Sequence, residues 1–222
     1  MPVMLDGPRL APTRGAARQL VIFLHGYGAN GNDLISIGEE WRDLLPDAAF
    51  VSPDAPEPCP GAPGGRQWFR LTMADPYERW AGVNKAEPVL NAFLDTELAR
   101  YGLNEDRLAL VGFSQGTMVA LHTGLRRARP PAAILGYSGE FVAPAGGGEK
   151  VLPKPPPTPP SILLVHGSED TLIPPEALFI SAERLAKAGI PCQWHLSLGV
   201  AHGIGADGLM HGGLFLASAL GV

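Results

Sequence analysis

The feature of the sequence that could carry chemistry is a serine between two glycines. Ser114 lies in LVGFSQGTMVA, with Gly112 two positions before it and Gly116 two positions after it. The Gly-x-Ser-x-Gly pattern alone is a weak signal, but here a strand-like apolar run precedes it and a helix-like run follows it. That setting is typical of a nucleophile elbow, in which a strained turn exposes the serine hydroxyl. The pattern therefore predicts that Ser114 is a nucleophile rather than an ordinary turn residue.

A serine nucleophile needs a base that removes its proton and an acid that orients the base. In open parallel sheets such groups lie in the loops after the carboxyl ends of strands. Of the six histidines, His202 in GVAHGIG follows the last predicted strand and lies in a loop that can move. The other five lie at strand ends, inside a strand or in helices: His25, His166, His195, His122 and His211. We expect His202 to be the general base.

The acid is expected from the segment SEDTLIPP, which follows another predicted strand. Asp170 in this segment comes between Ser114 and His202, which is the chain order expected for this constellation. Glu169 and Glu140 are alternative acids, since Glu140 follows the preceding strand. A helix-capping role is the structural alternative for Asp170. We favour Asp170 as the acid.

Attack on a carbonyl creates an oxyanion, which two backbone N–H groups must stabilise. The amide of Gln115 is one expected donor, because it opens the helix after Ser114 and the helix dipole favours negative charge there. The segment LHGYGANGND (residues 24–33) follows an early strand and is rich enough in glycine to approach a ligand closely. We expect the amide of Tyr27 to be the second donor. The segment lacks the lysine and the spacing of a phosphate-binding loop.

Strand-like and helix-like segments alternate along the chain. Apolar runs predict strands at residues 19–26, 48–54, 107–113, 132–138, 161–167 and 192–198, and helical spacing predicts helices at 34–45, 83–101, 115–127, 175–188 and 207–220. Several of the strand-like runs are continuously apolar, as in strands that are covered on both faces. The alternation predicts an α/β fold with a mostly parallel central sheet and helices on both faces.

Three segments qualify this simple pattern. The predicted helix at 83–101 contains Pro88, so we expect it to begin near that residue or to bend there. Residues 53–66 are rich in Pro and Gly and predict a long surface loop. Residues 143–160 are also rich in proline; a stiff excursion between two strands is favoured over a domain linker, because the piece beyond is too short for a core of its own. We expect one domain over residues 1–222.

Composition and charge exclude several classes of function. The chain has 222 residues, 45% of them hydrophobic, and a net charge of −5, so it can bury one core and has no positive excess for nucleic acid or anionic lipid. Its start lacks the features of a secretory signal, and no apolar run is long enough to span a membrane, so we expect a soluble cytoplasmic protein. Cys59 and Cys192 are interpreted as ordinary thiols. No metal and no cofactor are expected.

Five segments in order across nearly the whole chain carry a family resemblance: VIFLHGYGANGNDL, GGRQWF, VGFSQGTM, LLVHGSEDTLIP and GVAHGI. In these segments the chain resembles the bacterial phospholipase/carboxylesterase family of α/β-hydrolases, which is related to the acyl-protein thioesterases. The resemblance implies a compact α/β-hydrolase without a large cap domain, with a triad at Ser114, Asp170 and His202. It also implies oxyanion donors at Tyr27 and Gln115, and it allows a homodimer.

The resemblance also bears on the substrate. In similar proteins the loop with the Trp-Phe pair lies beside the active site, which implies that Trp68 and Phe69 line the substrate pocket. The alternative is that they are core aromatics that anchor a long loop. Acyl-protein thioesterases usually have HGLGD where this chain has HGYGA, so Ala29 occupies the position of their aspartate. This departure favours a small or medium acyl ester over an acylated protein.

The leading hypothesis is a cofactor-free serine carboxylesterase that hydrolyses a small-molecule acyl ester through an acyl-enzyme. Lysophospholipase or thioesterase activity is the nearest alternative. Acyl transfer and perhydrolysis use the same triad with another acceptor in place of water. A non-catalytic module that binds a ligand or a partner on the same fold is the alternative of a different class.

Overall fold

The computed structural model describes residues 4–72, 75, 77–144, 152, 156 and 158–222. The strands in these residues are β1 (Arg9–Leu10), β2 (Gln19–Leu24), β3 (Ala48–Val51), β4 (Glu57–Pro58), β5 (Arg66–Gln67), β6 (Leu108–Phe113), β7 (Ala133–Tyr137), β8 (Ser161–Gly167) and β9 (Gln193–Ser197). The α-helices are α1 (Ile35–Trp41), α2 (Glu78–Tyr101), α3 (Gln115–Arg126), α4 (Glu176–Lys187) and α5 (Ala206–Leu220).

Seven of the strands form one sheet, in the order β1-β3-β2-β6-β7-β8-β9. All neighbours from β3 to β9 run parallel, and β1 pairs with β3 in the antiparallel direction. At the carboxyl edge, Phe113 pairs with Tyr137 and Gly167 pairs with Ser197. The predicted mostly parallel sheet is confirmed. The loops that follow β6, β7, β8 and β9 therefore leave the sheet along one edge.

Helices cover both faces of the sheet, as predicted. Alternate residues of β2 belong to two separate buried clusters: Leu20, Ile22 and Leu24 to one, and Val21 and Phe23 to the other. The first cluster includes residues of α2, α3 and α4, and the second includes residues of α1 and α5. Burial of these apolar side chains is the main driving force that holds the helices on the sheet. No cap domain covers the sheet edge within the described residues.

Helix α2 begins earlier than the sequence predicts. The predicted start at Val83 is corrected to Glu78, and Pro88 lies inside the helix. Packing explains the earlier start, because Gly82 lies directly against the ring of Phe69. A Cβ atom on Gly82 would come 2.2 Å from the ring carbon Cδ2. Tertiary contacts thus outweigh the hydrogen bond that the proline cannot donate.

The two proline-rich segments have different outcomes. Residues 53–66, predicted as a long surface loop, include strand β4, which pairs in the antiparallel direction with β5 and places Glu57 opposite Gln67. The segment 143–160, predicted as an excursion between two strands, lies mostly outside the described residues. It connects β7 to β8, which are neighbours in the sheet.

Candidate active site

Ser114 occupies the sharp turn between β6 and α3. Its backbone has φ 53° and ψ −115°, which residues other than glycine rarely adopt. The flanking glycines allow the strand and the helix to approach. A Cβ atom on Gly112 would lie 2.4 Å from the amide nitrogen of Thr117, and one on Gly116 would lie 1.8 Å from the carbonyl oxygen of Leu24. The turn therefore has the strained geometry that the sequence pattern indicates.

Ser114, His202 and Asp170 form one chain of contacts. Nε2 of His202 lies 3.0 Å from Oγ of Ser114, and Nδ1 lies 2.7 Å from Oδ2 of Asp170. Because an ionised carboxylate can only accept, Nδ1 carries the ring proton and donates a hydrogen bond to Asp170. Nε2 is then the acceptor for the serine hydroxyl. In this tautomer the histidine can remove the serine proton during attack on a substrate.

The carboxylate of Asp170 is buried and surrounded by donors. Oδ1 accepts hydrogen bonds from the backbone N–H groups of Leu172 and Ile173, both at 2.9 Å. Oδ2 faces His202 and lies 3.2 Å from Nε2 of His166, which itself donates to the carbonyl oxygen of Ile173 at 2.8 Å. A buried charge requires such partners because it has lost its contact with water. Together they fix the direction in which Asp170 faces His202.

The two alternative acids lie elsewhere. The carboxylate of Glu140 forms an ion pair with Arg79 on α2. Glu169 contributes its backbone, which donates a hydrogen bond to the carbonyl oxygen of Val200 at 2.9 Å. Among the described residues, Asp170 is the carboxylate that hydrogen-bonds His202. The geometry therefore agrees with the choice of Asp170 over its acidic neighbours.

Backbone contacts hold the loop that carries His202 between β9 and α5. The N–H of Gly199 donates to Oγ of Ser168 at 2.9 Å, close to the contact between Glu169 and Val200. Both partners belong to the loop that follows β8. The loop after β8 thus carries Asp170 and also supports the loop that carries His202.

His25 holds the backbone beside Tyr27, a role that the sequence interpretation did not assign. Its Nδ1 lies 2.8 Å from the carbonyl oxygen of Gly26, and its Nε2 lies 3.0 Å from the amide nitrogen of Ala55. Because an amide N–H can only donate, Nε2 accepts from Ala55 and Nδ1 donates to Gly26. Burial lowers the pKa of His25, which favours this neutral form.

The contact with His25 also sets the direction of the next amide. In a trans peptide the C=O and N–H bonds point to opposite sides. No cis peptide bond occurs among the described residues, so the N–H of Tyr27 points away from the fixed carbonyl of Gly26. That N–H has no protein acceptor in the described part of the chain. Gln115 is the first residue of α3, where an N–H has no acceptor within the helix. Both residues line the cavity beside Ser114.

Trp68 and Phe69 are core residues and not cavity walls. Each is only 1% exposed, and neither is among the residues that line the cavity. The side chain of Gln115 joins their backbone to the serine turn: its Oε1 accepts from the N–H of Trp68 at 2.9 Å, and its Nε2 donates to the carbonyl oxygen of Phe69 at 2.8 Å. Trp68 also donates from its indole to the carbonyl oxygen of His25 at 2.9 Å. The expected pocket role is therefore corrected to the alternative, aromatic anchors of a long loop, because both side chains pack in the buried core cluster.

A cavity of about 280 Å³ lies beside Ser114 and has a mostly apolar wall. Its larger apolar side chains are Leu71, Phe113, Met118, Leu172 and Ile173. Arg79, paired with Glu140, also lines the cavity, as do Ala29 and His202. An apolar recess with a few polar groups is typical of a site that binds a hydrocarbon chain and orients its polar end.

The part of the chain that the structure describes contains no group of three or more His, Cys, Asp or Glu side chains arranged to hold a metal ion. None of the helices in these residues combines the length and the apolar character needed to cross a membrane. The two cysteines are free thiols, Cys59 buried and Cys192 partly buried.

The fold and the serine turn together define a class of protein. A mostly parallel sheet, a strained serine turn after a central strand, and a histidine and an aspartate in loops at the same edge are features of the α/β-hydrolases. Within that class, the chain belongs to the phospholipase/carboxylesterase family, whose family model matches residues 5–219.

Relatives and solved structures agree with this membership. Esterase YpfH of Escherichia coli (strain K12) is 32% identical over 178 residues, which cover 78% of this chain and 71% of that protein. Acyl-protein thioesterase 1 of Gibberella zeae is 27% identical over 207 residues, which cover 88% of each chain. The crystal structure of esterase PE8 is similar with a TM-score of 0.89 at 42% identity, covering 98% of this chain and 100% of that one. The chain is a carboxylic ester hydrolase of this family.

Proposed function

We propose that the protein is a serine carboxylesterase that hydrolyses small to medium acyl esters through Ser114, His202 and Asp170. The observation that carries this proposal is the continuous chain of contacts from Oδ2 of Asp170 through the ring of His202 to Oγ of Ser114, at 2.7 and 3.0 Å. A hydroxyl within reach of a base that a buried acid orients is the arrangement that acyl transfer to serine needs.

Acylation begins when Oγ of Ser114 attacks the ester carbonyl carbon while Nε2 of His202 takes the hydroxyl proton. Asp170 stabilises the imidazolium that forms and holds the ring in its orientation. The tetrahedral intermediate then collapses as His202 gives the proton to the departing alcohol oxygen. Water then attacks the carbonyl carbon of the acyl-enzyme, with His202 again as the base. The second tetrahedral intermediate collapses as His202 returns the proton to Oγ of Ser114, which releases the carboxylic acid.

The amides of Tyr27 and Gln115 are the donors that we assign to the oxyanion. Two observations support this assignment. Both residues line the cavity with Ser114, and neither backbone N–H donates to an acceptor among the described residues. Donors that are already oriented lower the barrier because they need no reorganisation as charge develops; removing one such donor typically costs about 10²- to 10³-fold in kcat. The positive end of α3 adds to the contribution of Gln115.

The main test is hydrolysis of p-nitrophenyl acyl esters of graded chain length, with release of nitrophenol as the measurement. Wild-type protein should turn over the shorter esters, and Ser114→Ala should lower kcat by roughly 10⁶-fold. Ser218→Ala, at an exposed position of α5, is the matched control and should keep wild-type turnover. Unchanged turnover in folded Ser114→Ala would contradict the proposal.

A fluorophosphonate probe separates the enzyme from a non-catalytic binding module on the same fold. Covalent labelling at Ser114, lost in Ser114→Ala, supports an activated serine. No labelling of the folded wild-type protein would instead support a module that binds a ligand or a partner. Product analysis with an added alcohol or peroxide tests whether either acceptor competes with water.

Thioesterase or lysophospholipase activity is the second candidate, since the relative from Gibberella zeae is named an acyl-protein thioesterase. Ala29 lines the cavity and stands where the resemblance places an aspartate, which supports small esters as the preferred class. Matched oxygen esters and thioesters with the same acyl chain, together with lysophospholipids, would rank these activities by kcat/KM. A single domain over residues 1–222 and a cytoplasmic location stay predictions from the sequence.

A further inference from the structure

Ser138 is a second strained serine at the carboxyl edge of the sheet. Among the described residues, Ser114 and Ser138 are the two non-glycine residues with positive φ, and φ of Ser138 is 44°. Ser138 follows β7 directly and is fully buried. Glycine adopts such a conformation without steric cost, whereas a serine there is strained. The serine side chain therefore calls for an explanation in terms of its contacts.

The positive φ follows from the packing of the chain against the serine turn. The N–H of Ser138 donates to the carbonyl oxygen of Val165 at 2.9 Å, which continues the sheet pairing. The next residue, Gly139, lies against the turn: a Cβ atom there would come 2.8 Å from the carbonyl oxygen of Ser114 and 2.4 Å from Cβ of Thr117. The chain turns sharply between these contacts, which accounts for the positive φ at position 138.

The hydroxyl of Ser138 reaches the loop that carries the expected base. Its Oγ donates to the carbonyl oxygen of Gly203 at 3.0 Å, the residue directly after His202. The preceding residue, Tyr137, accepts a hydrogen bond on its carbonyl oxygen from the N–H of Ser114 at 2.9 Å. Tyr137 thus holds the backbone of Ser114, and Ser138 holds the backbone next to His202. These two consecutive residues at the end of β7 therefore contact both sides of the 3.0 Å contact between Ser114 and His202.

We propose that Ser138 is a positioning residue that fixes the loop of His202 relative to Ser114, an inference that rests on the proposed esterase function. A glycine would satisfy the backbone without strain but would leave the Gly203 carbonyl without this donor. The hydroxyl provides that donor from the end of a central strand, which is a rigid element. This role explains why a serine and not a glycine occupies the strained position, since only the serine has a hydroxyl that can orient the loop of the base.

Two substitutions separate positioning from a purely structural role. Ser138→Gly removes the hydroxyl and relieves the backbone, whereas Ser138→Ala removes the hydroxyl and keeps the strain. We expect both to lower kcat for a p-nitrophenyl ester by about 10- to 100-fold, because a small displacement of a catalytic group has effects of this size. KM should stay within about twofold, since Ser138 is not among the residues that line the cavity. In thermal unfolding, the glycine variant should be the more stable of the two.

The outcomes distinguish this proposal from the proposed function. A Ser138→Gly variant with wild-type kcat would overturn the positioning role, as would losses of activity that follow the melting temperatures and spare the glycine variant. Ser218→Ala serves as the control with unchanged kcat and stability. Turnover that survives in Ser114→Ala would instead overturn the proposed function, whatever the Ser138 variants show. The rate of fluorophosphonate labelling at Ser114 should fall in parallel with kcat, because it also depends on the base.

Discussion

His202 pairs with Asp170 beside the expected nucleophile and His195 pairs with Asp207 at the surface, and in both pairs the nitrogen-to-oxygen distance is 2.7 Å. The side chain of Asp170 is fully buried, and its second oxygen accepts two backbone N–H groups. The side chain of Asp207 is 43% exposed. The second ring nitrogen of His202 faces Ser114. The two pairs therefore differ in burial and in the group that faces the second ring nitrogen, and not in the length of the contact; these differences distinguish the proposed catalytic pair from a surface ion pair.

A third pair, His122 and Glu87, shows how burial changes pKa values where no hydrogen bond joins the two groups. Nε2 of His122 lies 3.1 Å from Oε2 of Glu87, yet neither ring nitrogen makes a hydrogen bond within the described residues. Burial lowers the pKa of His122 to about 3 and raises the pKa of Glu87. Both shifts disfavour the charged forms. Burial therefore outweighs the nearby carboxylate, and this histidine stays neutral near neutral pH.

The largest effect is expected from breaking the buried pair. Asp170→Asn keeps the size of the side chain, but it places an amide where Nδ1 of His202 must donate, which favours the wrong tautomer. We expect kcat for a p-nitrophenyl ester to fall by about 10³- to 10⁴-fold with little change in KM, as expected when a triad loses its acid. Steady-state kinetics near pH 7 measure both parameters.

Asp207→Asn is the matched control, because it makes the same chemical change in the surface pair. Its kcat should stay within about twofold of wild type. The hydrogen bond from His195 lowers the pKa of Asp207 to about 2, so the stabilisation is present above the ordinary pKa of 3.8 and is lost as the pH falls towards 2. In an exposed pair this is worth at most about 1 kcal/mol. Similar losses of kcat in the two variants would contradict the comparison.

The sequence predicted the positions of the expected catalytic residues better than it predicted the residues that hold them in place. That Ser114, Asp170 and His202 lie close together was predictable, because the elbow pattern and the order of strands restrict such groups to the ends of particular strands. The parallel sheet and its helices followed from apolar periodicity. The strain at Ser138 was not predictable, because a serine at the end of a strand has no residue pattern that reports its φ.

Tertiary packing accounts for the other differences from the sequence predictions. The start of α2 at Glu78 depends on the fit of Gly82 against Phe69, which no local propensity encodes. The burial of Trp68 also depends on a tertiary contact, since its indole N–H donates a hydrogen bond to the carbonyl oxygen of His25. The resemblance predicted this aromatic pair at the pocket but could not show that its rings pack into the core.

His25 and His122 are both buried, but His25 is hydrogen-bonded at both ring nitrogens, whereas His122 is hydrogen-bonded at neither within the described residues. His25→Leu should remove the shorter of two hydrogen bonds to the carbonyl of Gly26, since the N–H of Ala29 also donates to it at 3.3 Å, and thereby loosen the direction of the Tyr27 amide. We expect kcat to fall by about 10- to 100-fold, less than or comparable to the loss of a complete oxyanion donor. KM should change little, because the donor acts mainly in the transition state.

A thiono ester, in which sulfur replaces the carbonyl oxygen, tests whether His25 acts through the oxyanion. The wild-type protein should strongly prefer the oxygen ester, and this preference should decrease in His25→Leu. His25→Asn keeps an N–H donor near the position of Nδ1 and should recover part of kcat and of the preference. A variant that loses kcat equally on both substrates would assign His25 to the fold instead.

The smallest effect on activity is expected at His122, where the change appears in the pH dependence of stability. Because the folded-state pKa is about 3 and the ordinary value is 6.5, the unfolded chain binds more protons between these values. Stability should therefore decrease as the pH falls below 6.5, and His122→Leu should reduce this slope by up to about 1.4 kcal/mol per pH unit. Glu87 and Arg126 are present in both proteins, so their titrations are shared to first order. Urea unfolding of both proteins at pH 7 and pH 5 measures this slope. The kcat of His122→Leu at pH 7 should stay within about twofold of wild type. Equal slopes in the two proteins would show that His122 is not neutral in the folded state.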